Sequence, residues 1–252
     1  IDCIKKNKIK KIKLILTMYM GGYPENIDGF YKLKKKFNFL IIEDACHAFG
    51  AAYRFKDANY KVGSCKHADI STFSLHPLKP ITSGEGGLVT TNNYKFYQIA
   101  KTSRSHGIIR NKRKHWEYDI VKSGFNYRLS DINCALGISQ IMKIGKFLKK
   151  RKKIYDFYLN NLDGYKNQIY FPNYNKKNKP SFHLIIMLIK KKINKDVFFK
   201  FLLKNKIISQ FHYIPIYKFK IFKKKIKFKN SDKYYNSAIS IPIFHGLTKK
   251  EQ

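Results

Sequence analysis

The sequence predicts an α/β chain in which a mostly parallel sheet crossed by helices is followed by a smaller α/β lobe. Three observations carry this. Short apolar runs alternate with lysine-rich amphipathic segments through the first half, the pattern of strand, crossover helix and strand. Acids, glycines and prolines collect where those runs end. The alternation then restarts beyond the polar, proline-flanked stretch "FPNYNKKNKP". We therefore expect one domain over residues 1–163, including its connecting helices, and a smaller one over 164–252.

Taken in order, "IKLILTMYM" reads as a buried strand, and "IDGFYKLKKKF" as a helix with Asp28 near its start. "NFLIIED" is a second strand that ends in two acids. "ADISTFSL" and "GGLVTTN", rich in β-branched and aromatic residues, are further strands, and "NYKFYQIAKTSRSHG" is a helix. From Leu129 to Lys150 a helical period runs from Ser130, a plausible N-cap, into a basic surface, and "RKKIYDFYLNNL" continues it. The second lobe offers the strand "SFHLIIMLI", the helix "KDVFFKFLLKN" and the extended segment "ISQFHYIP". In open α/β sheets ligands gather at the carboxyl ends of parallel strands. Asp44 stands at one such end and Ser74 to Lys79 at another, so both are expected to face one pocket.

Composition excludes more than it assigns. An apolar fraction of 44% suffices for a core. Lys and Arg number 52 against 16 Asp and Glu, a formal charge of +36, which would ordinarily point to nucleic acid. Only six of those 52 are arginine, whereas base reading and phosphate clamping lean on the bidentate guanidinium. We read the lysine excess, with its companion Ile, Asn, Tyr and Phe, as a mark of AT-rich coding, and expect no specific nucleic-acid partner. The runs at Lys176 to Lys179 and Lys223 to Lys225 read as solvated loops.

Cys3, Cys46, Cys65 and Cys134 form neither a CxxC pair nor a secretory framework, which suits a reducing, cytoplasmic compartment. Cys46-His47 with Cys65 and His67 makes a poor metal set, since adjacent strand residues point to opposite faces; no metal is expected. The basic run "KKNKIKKIK" before "LILTMYM" mimics a leader, but no small-residue cleavage pattern follows and Gly21-Gly22-Tyr23-Pro24 turns the chain. No apolar run reaches membrane-spanning length.

The chemistry concentrates in "STFSLHPLKPITSGEGG". Lys79 is followed by Pro80 and preceded two residues earlier by Pro77, so its backbone is restricted on both sides. A lysine held in a rigid turn and partly desolvated has a lowered pKa and can attack a carbonyl. Its usual carbonyl partner is pyridoxal 5'-phosphate (PLP), which needs an acid at its ring nitrogen and a cradle for its phosphate. Asp44 is the candidate acid, His47 a contact for the ring's phenolic oxygen, and Ser74 a phosphate hydroxyl. The glycines of "SGEGG" permit positive φ and close backbone approach beside the lysine. Taken singly each has an ordinary reading: Asp44 a turn former, His47 a satisfied buried histidine, Lys79 one lysine among many. The constellation in order outweighs them.

"IIEDACHAFGAAY", "VGSCKHADISTFSLHPLKPITSGEGGLVTT" and "SGFNYRLSDINCALGISQ" together resemble the DegT/DnrJ/EryC1/StrS family of PLP-dependent nucleotide-sugar aminotransferases, of fold type I, over nearly the whole chain. The resemblance implies that Lys79 bonds to PLP, Asp44 pairs with its ring nitrogen, His47 contacts its phenolic oxygen and Ser74 binds its phosphate. It further implies that Asn126 reaches the phosphate of the neighbouring subunit, so that a homodimer shares its active sites. Arg128, His106 in "SHG" and His212 in "HYIPIY" match positions on the substrate side. A lysine rather than a histidine at position 79 favours transamination over the sugar dehydration of sister enzymes.

Within the family, "TMYMGGYP", "EDACHA" and "HPLKPIT" resemble members of pseudaminic acid biosynthesis. Their acceptor is a UDP-linked 4-keto-6-deoxy N-acetylhexosamine and their usual donor L-glutamate. Family members also carry a segment ahead of the region matched here and a final helix after it. Residues 1–163 are then expected to be the C-terminal part of the large PLP-binding domain, its N-terminal part missing, and the chain a fragment. The competing expectation is an inactive truncated remnant.

Overall fold

β1 (Leu14–Met18) lies parallel beside β2 (Leu40–Asp44), and the two are joined through helix α1 (Ile27–Phe37). The computed structural model describes residues 6, 11–111, 113, 114, 116–190, 193–222 and 228–252. Cys3, most of the basic run before β1 and Lys223 to Lys225 lie outside the described residues. The chain divides into two compact units, Ile1–Gly145 with Lys176–Ser181, and Lys146–Asn175 with Phe182–Gln252.

In the first unit α1 carries Asp28 in its first turn and Lys34, Lys35 and Lys36 in its last, matching the helix dipole at both ends. It stops at Asn38, which takes the left-handed conformation that ends many helices. Lys34 Nζ lies 2.6 Å from Asp69 Oδ2, and the same oxygen accepts the Ile41 amide at 2.7 Å, so one carboxylate ties α1 to β2.

After β2 come the hairpin β3 (Ala52–Phe55) and β4 (Ala58–Lys61), then β5 (Ile70–Ser74) and β6 (Gly87–Thr90). β5 pairs parallel with β2, and β6 antiparallel with β5, giving the sheet order β1-β2-β5-β6. The expected mostly parallel sheet is thus present, with one antiparallel edge. Ala45, Ala48 and Ala51, all with no exposed surface, pack with Tyr19, Tyr53, Val62 and Phe73 behind the carboxyl end of β2. The lysines of the 176–179 run are exposed, yet the backbone there is anchored. Lys179 and Ala52 exchange amide-to-carbonyl bonds, and the buried Asn178 side chain donates from Nδ2 to the Pro24 carbonyl at 2.7 Å.

Helix α2 (Tyr94–Arg104) starts at Asn93, whose side chain accepts the Phe96 amide. It leads to the hairpin of β7 (Ile108–Arg110) and β8 (Tyr118–Ile120). Gly107, at φ +74°, and Gly124 close the base of this hairpin backbone to backbone. A Cβ on Gly107 would stand 1.7 Å from the Lys122 carbonyl oxygen, and one on Gly124 2.2 Å from the Gly107 amide. Helix α3 (Asp131–Ile141) begins at Ser130, whose Oγ accepts the Asn133 amide as its sequence position suggests.

Helix α4 (Ile144–Asn161) opens the second unit. The expected continuous helix is in fact two. Lys143 bonds back to the Gln140 carbonyl, a tighter three-residue closure that ends α3, while the apolar period runs on across the break. A three-stranded antiparallel sheet follows in the order β11-β10-β9, from β9 (Ile169–Tyr170), β10 (Ile185–Ile189) and β11 (Ala238–Ile241). The segment expected as extended contributes one bridge, Gln210 to Ser240. Helices α5 (Lys195–Lys204) and α6 (Lys229–Ser237) complete the unit.

Arg151, only 4% exposed, holds the second unit together. Its Nη1 donates to the carbonyls of Phe182, His183 and Ile243 at 3.1, 3.3 and 3.3 Å, and burial pulls its pKa down to about 10. Among the described residues no helix is long and apolar enough to cross a membrane.

Two substitutions test these contacts. Gly107→Ala cannot close the hairpin base and is expected to lower the unfolding free energy by about 2 kcal/mol or more in urea denaturation. Arg151→Met leaves three carbonyls without their donor and is expected to cost about 2–4 kcal/mol in the same measurement.

Candidate active site

Parallel pairing aligns the carboxyl ends of β1, β2 and β5, with Met18 opposite Asp44 and Asp44 opposite Thr72. Asp44 is fixed there by its own turn. Its Oδ1 accepts the Cys46 amide at 3.1 Å, its carbonyl accepts the Tyr19 amide at 3.2 Å, and the Ala45 amide donates to the Thr72 carbonyl at 2.9 Å.

Lys79 rides on a loop closed at its neck by Leu75. The Leu75 amide donates to the Gly86 carbonyl, and the Leu75 carbonyl accepts both the Ser83 amide at 3.1 Å and Thr82 Oγ1 at 2.8 Å. Pro80 and Ile81 are buried while Leu78 is exposed, so the loop is anchored on the C-terminal side of the lysine. The Lys79 amide closes a turn onto the His76 carbonyl at 2.9 Å.

Burial pulls the Lys79 amine below its ordinary pKa, and Cys46, where its thiol is ionised, and then the Asp44 carboxylate oppose that fall. Lysine, carboxylate and thiol therefore share one electrostatic neighbourhood. The Cys46 thiol is itself pushed up to about 11, by burial first and then by its hydrogen bond to Asp44, so it is protonated at neutral pH. Ser74, at the end of β5, completes the group; its Oγ accepts the His76 amide at 3.3 Å. His47 is almost fully buried, and its Nδ1 accepts the Gly21 amide at 3.3 Å, which puts the proton of the neutral ring on Nε2.

The structure thus brings together Asp44, Ser74 and Lys79, with His47 on the loop that follows β2. The remaining expected residues stand elsewhere. His106 and Asn126 flank the glycine-closed hairpin base, where the His106 amide donates to the Phe125 carbonyl and Ser105 bridges to Asn126. Arg128 is exposed just beyond. His212 belongs to the second unit, its Nδ1 2.8 Å from Ser240 Oγ.

Gly84 and Gly86 take the positive φ expected of them, at +84° and +136°. The close approach at Gly87 is to the chain's own backbone, for a Cβ there would lie 2.7 Å from the Phe73 carbonyl oxygen. Two contributors escaped the sequence reading. Cys46 joins the cluster because it lies two residues after Asp44, whose Oδ1 accepts its amide, and Asn133 of α3 donates from Nδ2 to the Ser83 carbonyl, bracing the lysine loop. Asn133 was visible only as one residue of a longer motif. Among the described residues no group of three His, Cys, Asp or Glu side chains is placed to hold a metal ion.

A parallel sheet with a lysine loop after one strand and a carboxylate at the end of its neighbour is the architecture of fold type I PLP-dependent transferases. The sequence profile of the DegT/DnrJ/EryC1/StrS aminotransferase family matches residues 3–252. The chain belongs to that family. It is 38% identical to a UDP-4-amino-4,6-dideoxy-N-acetyl-beta-L-altrosamine transaminase of Campylobacter jejuni, over 95% of this chain and 63% of that protein. It is 32% identical to the protein of the same description from Helicobacter pylori, over 94% of this chain and 62% of the relative. Among solved structures, Helicobacter pylori PseC, described as an aminotransferase involved in the biosynthesis of pseudoaminic acid, superposes with a TM-score of 0.88 and 29% identity. That match covers 97% of this chain and 66% of PseC. The chain therefore spans a little under two thirds of the curated relatives it matches.

The aminotransferases of this family depend on PLP. The donor set suits that group, since a half-buried amine with a lowered pKa stands beside a carboxylate and a serine hydroxyl at the strand ends.

The opposing influences on Lys79 give a signed prediction. An amine-reactive reagent labels only the neutral form, so Lys79 is expected to reach its labelling midpoint at lower pH than surface lysines, read peptide by peptide by mass spectrometry. Asp44→Asn removes an influence that raises the pKa, so the midpoint moves lower still. A midpoint that rises in Asp44→Asn contradicts the assignment.

Proposed function

We propose that the protein is a PLP-dependent nucleotide-sugar aminotransferase that moves an amino group from L-glutamate to C4 of a UDP-linked 4-keto-6-deoxy N-acetylhexosamine, in pseudaminic acid or related amino-sugar biosynthesis. The observation that carries this is the half-buried Lys79 amine beside the Asp44 carboxylate at the carboxyl ends of parallel strands. The acceptor and pathway rest on what the Campylobacter and Helicobacter relatives are described as making.

In this reading Lys79 would hold the cofactor's aldehyde carbon, Asp44 its ring nitrogen, Ser74 its phosphate and His47, donating from Nε2, its phenolic oxygen. Bound PLP supplies an electron sink for the electron pair left when the donor's α-proton is removed. The chain's own residues do the rest. Lys79 Nζ, displaced by the amino donor and held below its ordinary pKa by burial, takes the proton from the donor's α-carbon as a base and later delivers a proton to sugar C4. The Asp44 carboxylate, oriented by the Cys46 amide, keeps the ring nitrogen protonated through both halves. Asn126 would contact the phosphate held by the partner subunit of a homodimer, while Arg128 and His106 would belong to the sugar side. The reaction makes no call on the +36 charge, although a basic mouth would speed the arrival of a dianionic UDP-sugar.

The test is the absorbance spectrum of the natural protein with PLP, before and after L-glutamate, with Lys79→Ala alongside. A visible band that forms in the wild type, is lost on adding glutamate and never forms in Lys79→Ala is the expected result. The same band in Lys79→Ala would remove Lys79 from its role.

A further inference from the structure

The residue before Asp44 points to the other face of the sheet and lies in a buried polar row. Register sets Thr17 of β1, Glu43 of β2, Ser71 of β5 and Thr90 of β6 side by side across the four strands. Glu43 is 3% exposed, and its partners are hydroxyls rather than cations. Oε1 accepts the Tyr19 hydroxyl at 2.5 Å and Oε2 accepts the Ser71 hydroxyl. Burial and then the nearby carboxylate push the Tyr19 phenol well above its ordinary pKa, so it remains a donor. Ser71 Oγ in turn lies 3.4 Å from Cys65 Sγ.

Burying a carboxylate is costly, and well-packed apolar residues would serve stability as well or better. The two donors show what the carboxylate does there. Tyr19 belongs to the chain just after β1 and Ser71 to β5, so one side chain spans three adjacent strands immediately before the row that carries Asp44. The backbone around it is held in the same sense. Thr72 Oγ1 donates to the Glu43 carbonyl at 3.3 Å and the Tyr19 amide to the Asp44 carbonyl at 3.2 Å.

We propose that Glu43 is a positioning residue for Asp44: by binding Tyr19 and Ser71 it sets the end of β2 so that the Asp44 carboxylate stands against Lys79. Its value to the enzyme rests on the cofactor reading above, but its action on Asp44 does not.

The experiment therefore reads Lys79 without PLP. The pH midpoint of Lys79 labelling is measured in the natural protein, Glu43→Gln, Asp44→Asn and the double variant, with circular dichroism confirming the fold of each. Glu43→Gln is expected to lower the midpoint in the same direction as Asp44→Asn, and to add nothing once Asp44 is already Asn. An unmoved midpoint in folded Glu43→Gln overturns the proposal, as does an equal further shift in the double variant, which would mean a direct charge effect. If Glu43→Gln does not fold, Tyr19→Phe and Ser71→Ala each delete one donor and are read the same way. PLP titration supplies the second readout. Glu43→Gln is expected to weaken binding about tenfold, a coupling typical of one hydrogen-bond network, and only where Asp44 is present. Wild-type protein that binds no PLP while the labelling shifts as expected would overturn the cofactor reading and leave the positioning role standing.

Discussion

Parallel pairing of β2 with β1 on one side and β5 on the other is the constraint on which the rest of the first unit depends. It aligns three carboxyl ends, so residues far apart in the chain, Asp44 and the loop carrying Lys79, meet at one edge of the sheet. It also gives β2 two unlike faces. Asp44 turns toward the lysine and Glu43 toward a row of hydroxyls. A slip of one residue would swap their faces, turning Asp44 away from the lysine and Glu43 away from the hydroxyls.

The loop that bears Lys79 is held by means that differ from those of the sheet. Leu75 closes its neck with three hydrogen bonds, buried Pro80 and Ile81 anchor one side, and Asn133 reaches in from α3. The amine is left half-buried, in a setting where burial lowers its pKa while, near neutrality, the Asp44 carboxylate restrains the fall. An amine balanced in this way can serve as nucleophile and as base near neutrality more readily than a solvated lysine. In the second unit a single buried guanidinium joins three carbonyls.

Much of this was legible in the residues. The three parallel strands of the sheet and its antiparallel edge, the cap at Ser130, and the restricted turn at Lys79 are local matters of periodicity, cap chemistry and backbone restriction. The break between α3 and α4 was not, because the apolar period continues across Met142 and Lys143 while the hydrogen bonds do not. In the sequence the glycines of "SHG" and "SGFNYR" are only parts of motifs, since nothing local announces that Gly107 and Gly124 touch.

By itself the sequence determined the order of the elements, the charge, the proline-bounded lysine and the family, since each is written in neighbouring residues or in motif order. The tertiary structure alone decided that Cys46 meets Lys79, that Glu43 faces Tyr19 and Ser71, and that Arg151 gathers the carbonyls of Phe182, His183 and Ile243. The physical reason is the same in each case. These are contacts across 24 to 92 residues of chain, and their existence depends on strand register and packing, which no local pattern encodes.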